Sequence, residues 1–515
     1  MKRHNLYAAL LLAAFGYGCA QGPSASKPTT DVAKLSEAAP KYAETITAAD
    51  LSKHLHIIAS DEYEGRNTGE KGQKMAAEYI AREFREDGLT GPVKANSANP
   101  YYQTFDLQKS AWGEGHISIG TEKYLMMQDF FPFGSSPFTT EQSVEAVYVA
   151  DAAQLAGKDA NGKLVVTMLT PAEMQTKMRG FGAAAEQAGA KGVVYVLGAE
   201  EYRGMAERFS HRLSQPSLSQ MGSNNSSRPA TIFATPTVGA AILGTTPEQL
   251  QRNASTIAFK PASDIRILMS RTSEPLPTEN VLGFVEGTDK KDEVVIVTAH
   301  YDHVGVDESL EGDKIYNGAN DDGSGTVAVI ELAEAFAQAK KDGYGPRRSV
   351  LFMTVTAEEK GLLGSEYYSE NPIFPLENTV ANVNIDMIGR MDYEHEKTND
   401  SNYIYVIGAD KLSSELHQIN EEMNQKYVNL KLDYTFNDEN DPNRFYYRSD
   451  HYNFAKNGIP IVFYFNGVHD DYHQPGDEAD KIIYESAEKV SRLAFHVTWE
   501  LANRENRIVV DSNKK

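Results

Sequence analysis

From about residue 278 onward, short apolar runs of strand length alternate with segments of helical periodicity, and this alternation narrows the possible folds more than any other feature of the chain. The apolar runs cover 294–298, 349–355, 383–385, 403–407 and 459–465, with helical patterns over 326–338 and 413–427 between them. A last helix is expected over 485–503, where Ala487, Val490, Leu493, Ala494, Val497 and Leu501 recur at helical spacing. Strands apolar on both faces and joined by helices form a mostly parallel sheet covered on both sides, so the fold class expected is α/β. Upstream, Thr47 or Asp50 can cap a helix through Leu51, Leu55 and Ile57, and 70–87 carries Ala76, Ala77, Ile80, Ala81 and Phe84 on one helical face.

Open α/β sheets bind ligands beyond the carboxyl ends of their strands, where loops converge over a rigid support. Here each such end carries a residue able to hold a metal. The 294–298 run leads to His300 and Asp302, the 349–355 run to Glu358 and Glu359, the 383–385 run to Asp386, and the 459–465 run is followed by His473. Asn320-Asp321-Asp322-Gly323 adds acid at a glycine-rich turn that opens a helix. Singly, each has a plain explanation, since an Asp before a helix is usually a cap. Their coincidence at one edge of one sheet points instead to a metal site. Two histidines with several carboxylates and no thiolate suit zinc in a catalytic rather than a structural role.

These residues stand in strings that resemble the di-zinc exopeptidases, the family that includes bacterial leucyl aminopeptidase, aminopeptidase Y and glutamate carboxypeptidase. The strings are Ala299-His300-Tyr301-Asp302, Gly318-Ala319-Asn320-Asp321-Asp322-Gly323, Glu358-Glu359-Lys360-Gly361-Leu362-Leu363-Gly364-Ser365, Asn384-Ile385-Asp386-Met387, Ser449-Asp450-His451 and Asp471-Tyr472-His473. The resemblance implies a mostly parallel mixed sheet sandwiched by helices and two Zn²⁺ ions bridged by Asp321. His300 and Asp386 would complete one site, Glu359 and His473 the other, and Glu358 would be the general base acting on a shared water. Asp302, two residues beyond His300, is placed to accept a hydrogen bond from the imidazole and fix its tautomer. Tyr446, four residues before Asp450, has the spacing at which some relatives present a phenol to the developing oxyanion.

Between about 112 and 268 the pattern changes to short apolar runs punctuated by Gly and Pro, which reads as a separate β-rich insert. Gly180-Phe181-Gly182-Ala183, Ala188-Gly189-Ala190-Lys191-Gly192-Val193 and Thr235-Pro236-Thr237-Val238-Gly239 resemble the protease-associated domain found inside some members of the same family. The polar stretch 203–228 reads as a mobile loop. The organisation expected is a signal peptide over 1–19, a flexible tether over 20–43, a discontinuous peptidase domain over 44–111 and 269–508, and the insert over 112–268.

The signal rests on Lys2 and Arg3 ahead of an apolar stretch, 6–15, too short to span a bilayer. Cys19, the only cysteine, stands where a lipoprotein signal places its acylated residue, while Gly18-Cys19-Ala20 also fits ordinary cleavage. Either route exports the chain to a bacterial periplasm, and lipid on Cys19 would be its membrane contact. A lone cysteine excludes an intramolecular disulfide. A formal net charge of -22 repels phosphate backbones and anionic lipid, which argues against a nucleic-acid partner.

The activity expected is therefore hydrolysis of amino-terminal residues from peptides. Three rivals stand beside it: a glutamate-releasing carboxypeptidase, for which Arg444 and Arg448 could supply a cationic recess; a one-zinc glutaminyl cyclase; and a binding protein on an inactive peptidase scaffold. Retention of all five ligand-type residues and of Glu358 argues against the last.

Overall fold

The computed structural model describes residues 32–94, 98–134, 136–222, 228–253 and 259–512. The expected signal segment and Cys19 lie outside the described residues.

Four strands run parallel, side by side, in the middle of a large mixed sheet: Ile461–Phe465, Thr379–Ile385, Lys290–His300 and Arg348–Val355. Tyr403–Ile407 flanks them antiparallel on one side, and Ile265–Val285 does so on the other. Side chains alternate across a strand, and here both sets are apolar. Val295, Val297 and Ala299 face a layer built from helices Ala48–Ile58, Lys71–Glu86, Gly325–Lys341 and Tyr484–Asn503. Val294 and Ile296 face the opposite layer, where Tyr368, Leu412 and Phe454 cover them. Each such fully buried side chain contributes roughly 1.5–3 kcal/mol. A one-residue slip would exchange the two sets, so this packing fixes the register and thereby where each strand ends.

The insert carries its own five-stranded sheet, in the order Phe130–Phe133, Ala230–Ala234, Gly192–Val196, Leu164–Met168, Ala146–Tyr148. Helix Pro171–Gln187 links two of its parallel strands and begins with a capping box at Thr170 and Glu173. Two long strands, Tyr102–Ile119 and Ile265–Val285, pair antiparallel and run from the central sheet into the insert. The expected joins at 111/112 and 268/269 fall inside these strands, beside a register shift between Trp112 and Gly115.

Two expectations need correction. The tether expected over 20–43 is helical from Val32 to Ala43, because Leu35, Ala39 and Tyr42 share a face that packs on the main core, with Tyr42 stacked on Trp499. The loop expected over 203–228 overlaps helix Ala199–Ser214 and contains strand Ser217–Gln220. That strand pairs with Tyr102–Ile119, and its Gln220 amide donates to Leu363 O at 2.7 Å. Polar composition hid both elements, since the strand's main-chain pairing needs no apolar side chain.

Candidate metal centre

The carboxyl ends of the four parallel strands meet at one rim. Each end leads a chain segment into the same cluster: His300, Asp386, the Glu358-Glu359 pair after Val355, and His473 after Phe465. The helix opened by Gly325 contributes Asp321 from the turn before it. The peptide between Asp321 and Asp322 is cis.

Asp321 sits at the middle of the cluster. Its Oδ1 lies 3.2 Å from His300 Nε2, and its Oδ2 lies 3.0 Å from His473 Nε2. On one side His300 Nε2 is 3.7 Å from Asp386 Oδ1 and 3.8 Å from Glu358 Oε2. On the other, His473 Nε2 is 3.1 Å from Glu359 Oε2. The five ligand-type residues named from sequence are thus together, with Glu358 at the edge of the first group.

The second group also contains a residue that the sequence reading passed over, His303. Its Nδ1 lies 2.8 Å from Glu359 Oε1 and 4.0 Å from Asp321 Oδ2. The H-x-x-H spacing from His300 was the available signal.

The main chain around these side chains is held by buried polar groups. Asp322 Oδ2 accepts His300 N–H at 3.1 Å, while its Oδ1 accepts the N–H groups of Gly325 and Met387 at 2.9 and 3.1 Å. One carboxylate therefore caps a helix and ties together two strand ends. Asp477 accepts the N–H groups of Asn320 and Asp321. Arg66, fully buried, donates to the carbonyls of Tyr301, Ile58, Asn317 and Gly318 at 2.6–2.9 Å. Ser449 Oγ donates to Asp386 Oδ2 at 2.7 Å, orienting its other oxygen toward His300.

Two predicted roles sit differently in space. His300 Nδ1 faces the main-chain oxygen of Asp302 at 3.0 Å, whereas the Asp302 carboxylate is 3.9 Å away. That carboxylate accepts Glu358 N–H at 3.0 Å and the Thr68 hydroxyl at 2.9 Å. Tyr446 does not line the recess over the cluster. Its ring packs against Tyr447, Tyr452 and Lys411, and burial pushes its phenol up to about 12. The tyrosine at the recess is Tyr472, stacked on the His473 ring and accepting a hydrogen bond from Arg448 at 3.3 Å. The remaining wall is apolar, with Met387, Phe445, Phe463, Phe465 and Val468.

Charge in the cluster is strongly coupled. Burial works against a charged His473, but Asp321 and Glu359 outweigh it and raise the imidazole to about 10. His300 is likewise raised, its burial outweighed by Glu358, Asp386 and Asp321. Burial opposes ionisation of Glu359, yet the facing imidazoles hold it down at about 2. Glu358 is raised well above the ordinary range, by burial first and then by Glu359, Asp450 and Asp386. The acids thus draw positive charge into the cluster, and protons and metal compete for the same donor atoms. His303 Nδ1, Glu359 Oε1 and His473 Nε2 are buried and have no hydrogen-bond partner among the described residues. Nitrogen and carboxylate donors left open toward a common point fit zinc.

Residues 280–498 match the sequence profile of peptidase family M28. A "Probable zinc metalloprotease" of Pyrenophora teres f. teres is 33% identical over 138 residues, 26% of this chain and 26% of that protein. Aminopeptidase YwaD of Bacillus subtilis is 27% identical over 238 residues, 45% of this chain and 46% of that protein. The aligned parts therefore span between a quarter and a half of these relatives' length. The structure of an aminopeptidase from Aneurinibacillus sp. strain AM-1 has the same fold, with a TM-score of 0.55 and 20% identity over 92% of this chain and 98% of that one.

Proposed function

We propose that this chain, whose residues 280–498 match peptidase family M28, is a two-zinc exopeptidase that removes amino-terminal residues from peptides. The observation that carries the reading is the placement of Asp321 between two donor groups. His300 and Asp386 lie on one side, Glu359 and His473 on the other, with Glu358 beside the first. His300, Asp386, Asp321, Glu359 and His473 would hold two zinc ions, which would supply a water of lowered pKa and a Lewis acid for the scissile carbonyl. Glu358 takes the proton of the attacking water and delivers it to the leaving amine. Tyr472, at the recess and hydrogen-bonded by Arg448, presents a polarised phenol toward the reacting carbonyl. The aromatic wall of the recess favours an apolar side chain on the residue removed.

Arg448 at the recess also supports the rival reading, a carboxypeptidase that recognises a terminal carboxylate. The deciding experiment is hydrolysis of a peptide panel by the purified protein, with free, amino-blocked and carboxyl-blocked members, before and after chelation. Loss of cleavage on acetylating the amine supports the aminopeptidase, and loss on amidating the carboxyl end supports the rival. Activity that survives removal of all metal would end the two-zinc reading. Export belongs to the same proposal and rests on the basic and apolar leader with Cys19 behind it. Cell fractionation with fatty-acid labelling separates a lipidated form from a simply cleaved one.

A further inference from the structure

His303 is buried and has polar atoms that nothing yet described satisfies. It lies three residues past His300, where its main-chain N–H donates to Arg66 O at 3.2 Å. Gly318 makes room for the ring, since a Cβ there would stand 2.4 Å from His303 Cδ2. The imidazole is therefore seated in one position, edge-on to His473 with ring centroids 5.6 Å apart.

From that position Nδ1 reaches Glu359 Oε1 at 2.8 Å, yet the contact lacks hydrogen-bond geometry, and both atoms remain unpartnered. A buried polar atom left unmet carries the full penalty of its lost hydration. Two such atoms side by side, neither satisfying the other, are both free to meet a cation. Donors to one tetrahedral zinc stand about 3.3 Å apart, given bond lengths near 2.0–2.2 Å. The donor atoms of His303, Asp321 and Glu359 lie within 4.8 Å of one another, and His473 Nε2 approaches the same two carboxylates at 3.0 and 3.1 Å.

We propose that His303, through Nδ1, is a sixth protein donor, held at the position shared by Glu359 and His473. The inference rests on the two-zinc reading and deepens it by making the two positions unequal. One position would then have four protein donors, His303, His473, Glu359 and Asp321. The other has His300, Asp386 and Asp321, and keeps an open coordination place. The four-donor position fills first and empties last.

The test begins with full-length wild-type protein stripped by chelator and reloaded with one equivalent of zinc. X-ray absorption at the zinc edge should then count two imidazoles per zinc, and a count of one overturns the proposal. The second arm is competition against a chromophoric chelator in wild type, His303→Asn and His303→Gln, with folding checked by circular dichroism. The first-bound zinc should weaken by more than about tenfold in both variants, while the second changes little. A folded variant that keeps wild-type affinity for the first zinc also overturns it. If neither variant folds, the wild-type imidazole count still decides. Wild-type protein that binds no zinc at all would refute the underlying two-zinc reading, a failure separate from that of His303.

Discussion

Asp302 Oδ1 accepts the main-chain N–H of Glu358 at 3.0 Å, which links the carboxyl ends of two neighbouring parallel strands, Lys290–His300 and Arg348–Val355. The second oxygen accepts the Thr68 hydroxyl, so both carboxylate oxygens are engaged away from the His300 ring, which stands 3.9 Å off. Asp302 thus positions the proposed base through its backbone, while a main-chain carbonyl sets the imidazole tautomer. Asp302→Ala is expected to lower kcat by about 10- to 100-fold with zinc affinity held within about tenfold. The opposite pattern, weaker zinc and a kcat restored by saturating metal, would show that Asp302 acts through His300.

Glu358→Gln keeps the shape of the side chain and the Asp302 anchor but removes the group that exchanges a proton. Turnover should fall by about 10²-fold or more, with zinc content unchanged on elemental analysis. Retention of near wild-type kcat would assign the proton transfer to another residue.

Much of this arrangement was legible in the sequence because its parts follow short-range rules. Apolar runs of strand length are read directly, and the residues just past them are fixed at the strand ends once the sheet forms. His300, Glu359 and Asp386 therefore lie at the same rim of the sheet, where strand-end positions put them. His473 follows its strand by eight residues, a longer reach than the others, and the Asp471-Tyr472-His473 string supports the same assignment. What sequence did not reveal depends on tertiary packing. Tyr446 has the spacing expected of an oxyanion phenol, and only its packing on Lys411 and Tyr452 shows that it stands away from the recess that Tyr472 lines. Arg66 carries no periodic signal and meets its four carbonyls across as many as 252 positions of chain. The helix Val32–Ala43 was mistaken for tether because three apolar side chains amid Ala, Ser and Lys look dispensable until the core they cover is known.

Arg66 offers a direct measure of how tightly the loops are held. Its guanidinium donates to four carbonyls drawn from three separate segments, and burial disfavours its charge, which neighbouring Asp477, Asp302 and Asp321 offset. Lysine has three donors on one atom and cannot span the same fork. Arg66→Lys should destabilise the fold by about 3 kcal/mol or more, read as a lower urea midpoint at constant slope. A loss below about 1 kcal/mol would mean that the carbonyls find other partners.

His496 supplies a pH-dependent term remote from the metal cluster. Its ring is buried and stacks on Tyr427 with centroids 3.9 Å apart and an interplanar angle of 8°. Burial first, then the charges of Lys426 and Arg492, depress its pKa from 6.5 to about 4. Above pH 6.5 the ring is neutral in both folded and unfolded chains, and its contribution is fully present. As pH falls from 6.5 toward 4, the unfolded chain takes up a proton that the folded one refuses, so stability is lost across that window and levels off below it. The difference of about 2.5 pH units corresponds to about 3 kcal/mol at most. His496→Phe keeps the stacking and removes the titration. With both proteins held metal-free by chelator, the variant should lose less stability than wild type between pH 6.5 and 4.5. Parallel stability curves over that range would show that His496 is not the group responsible.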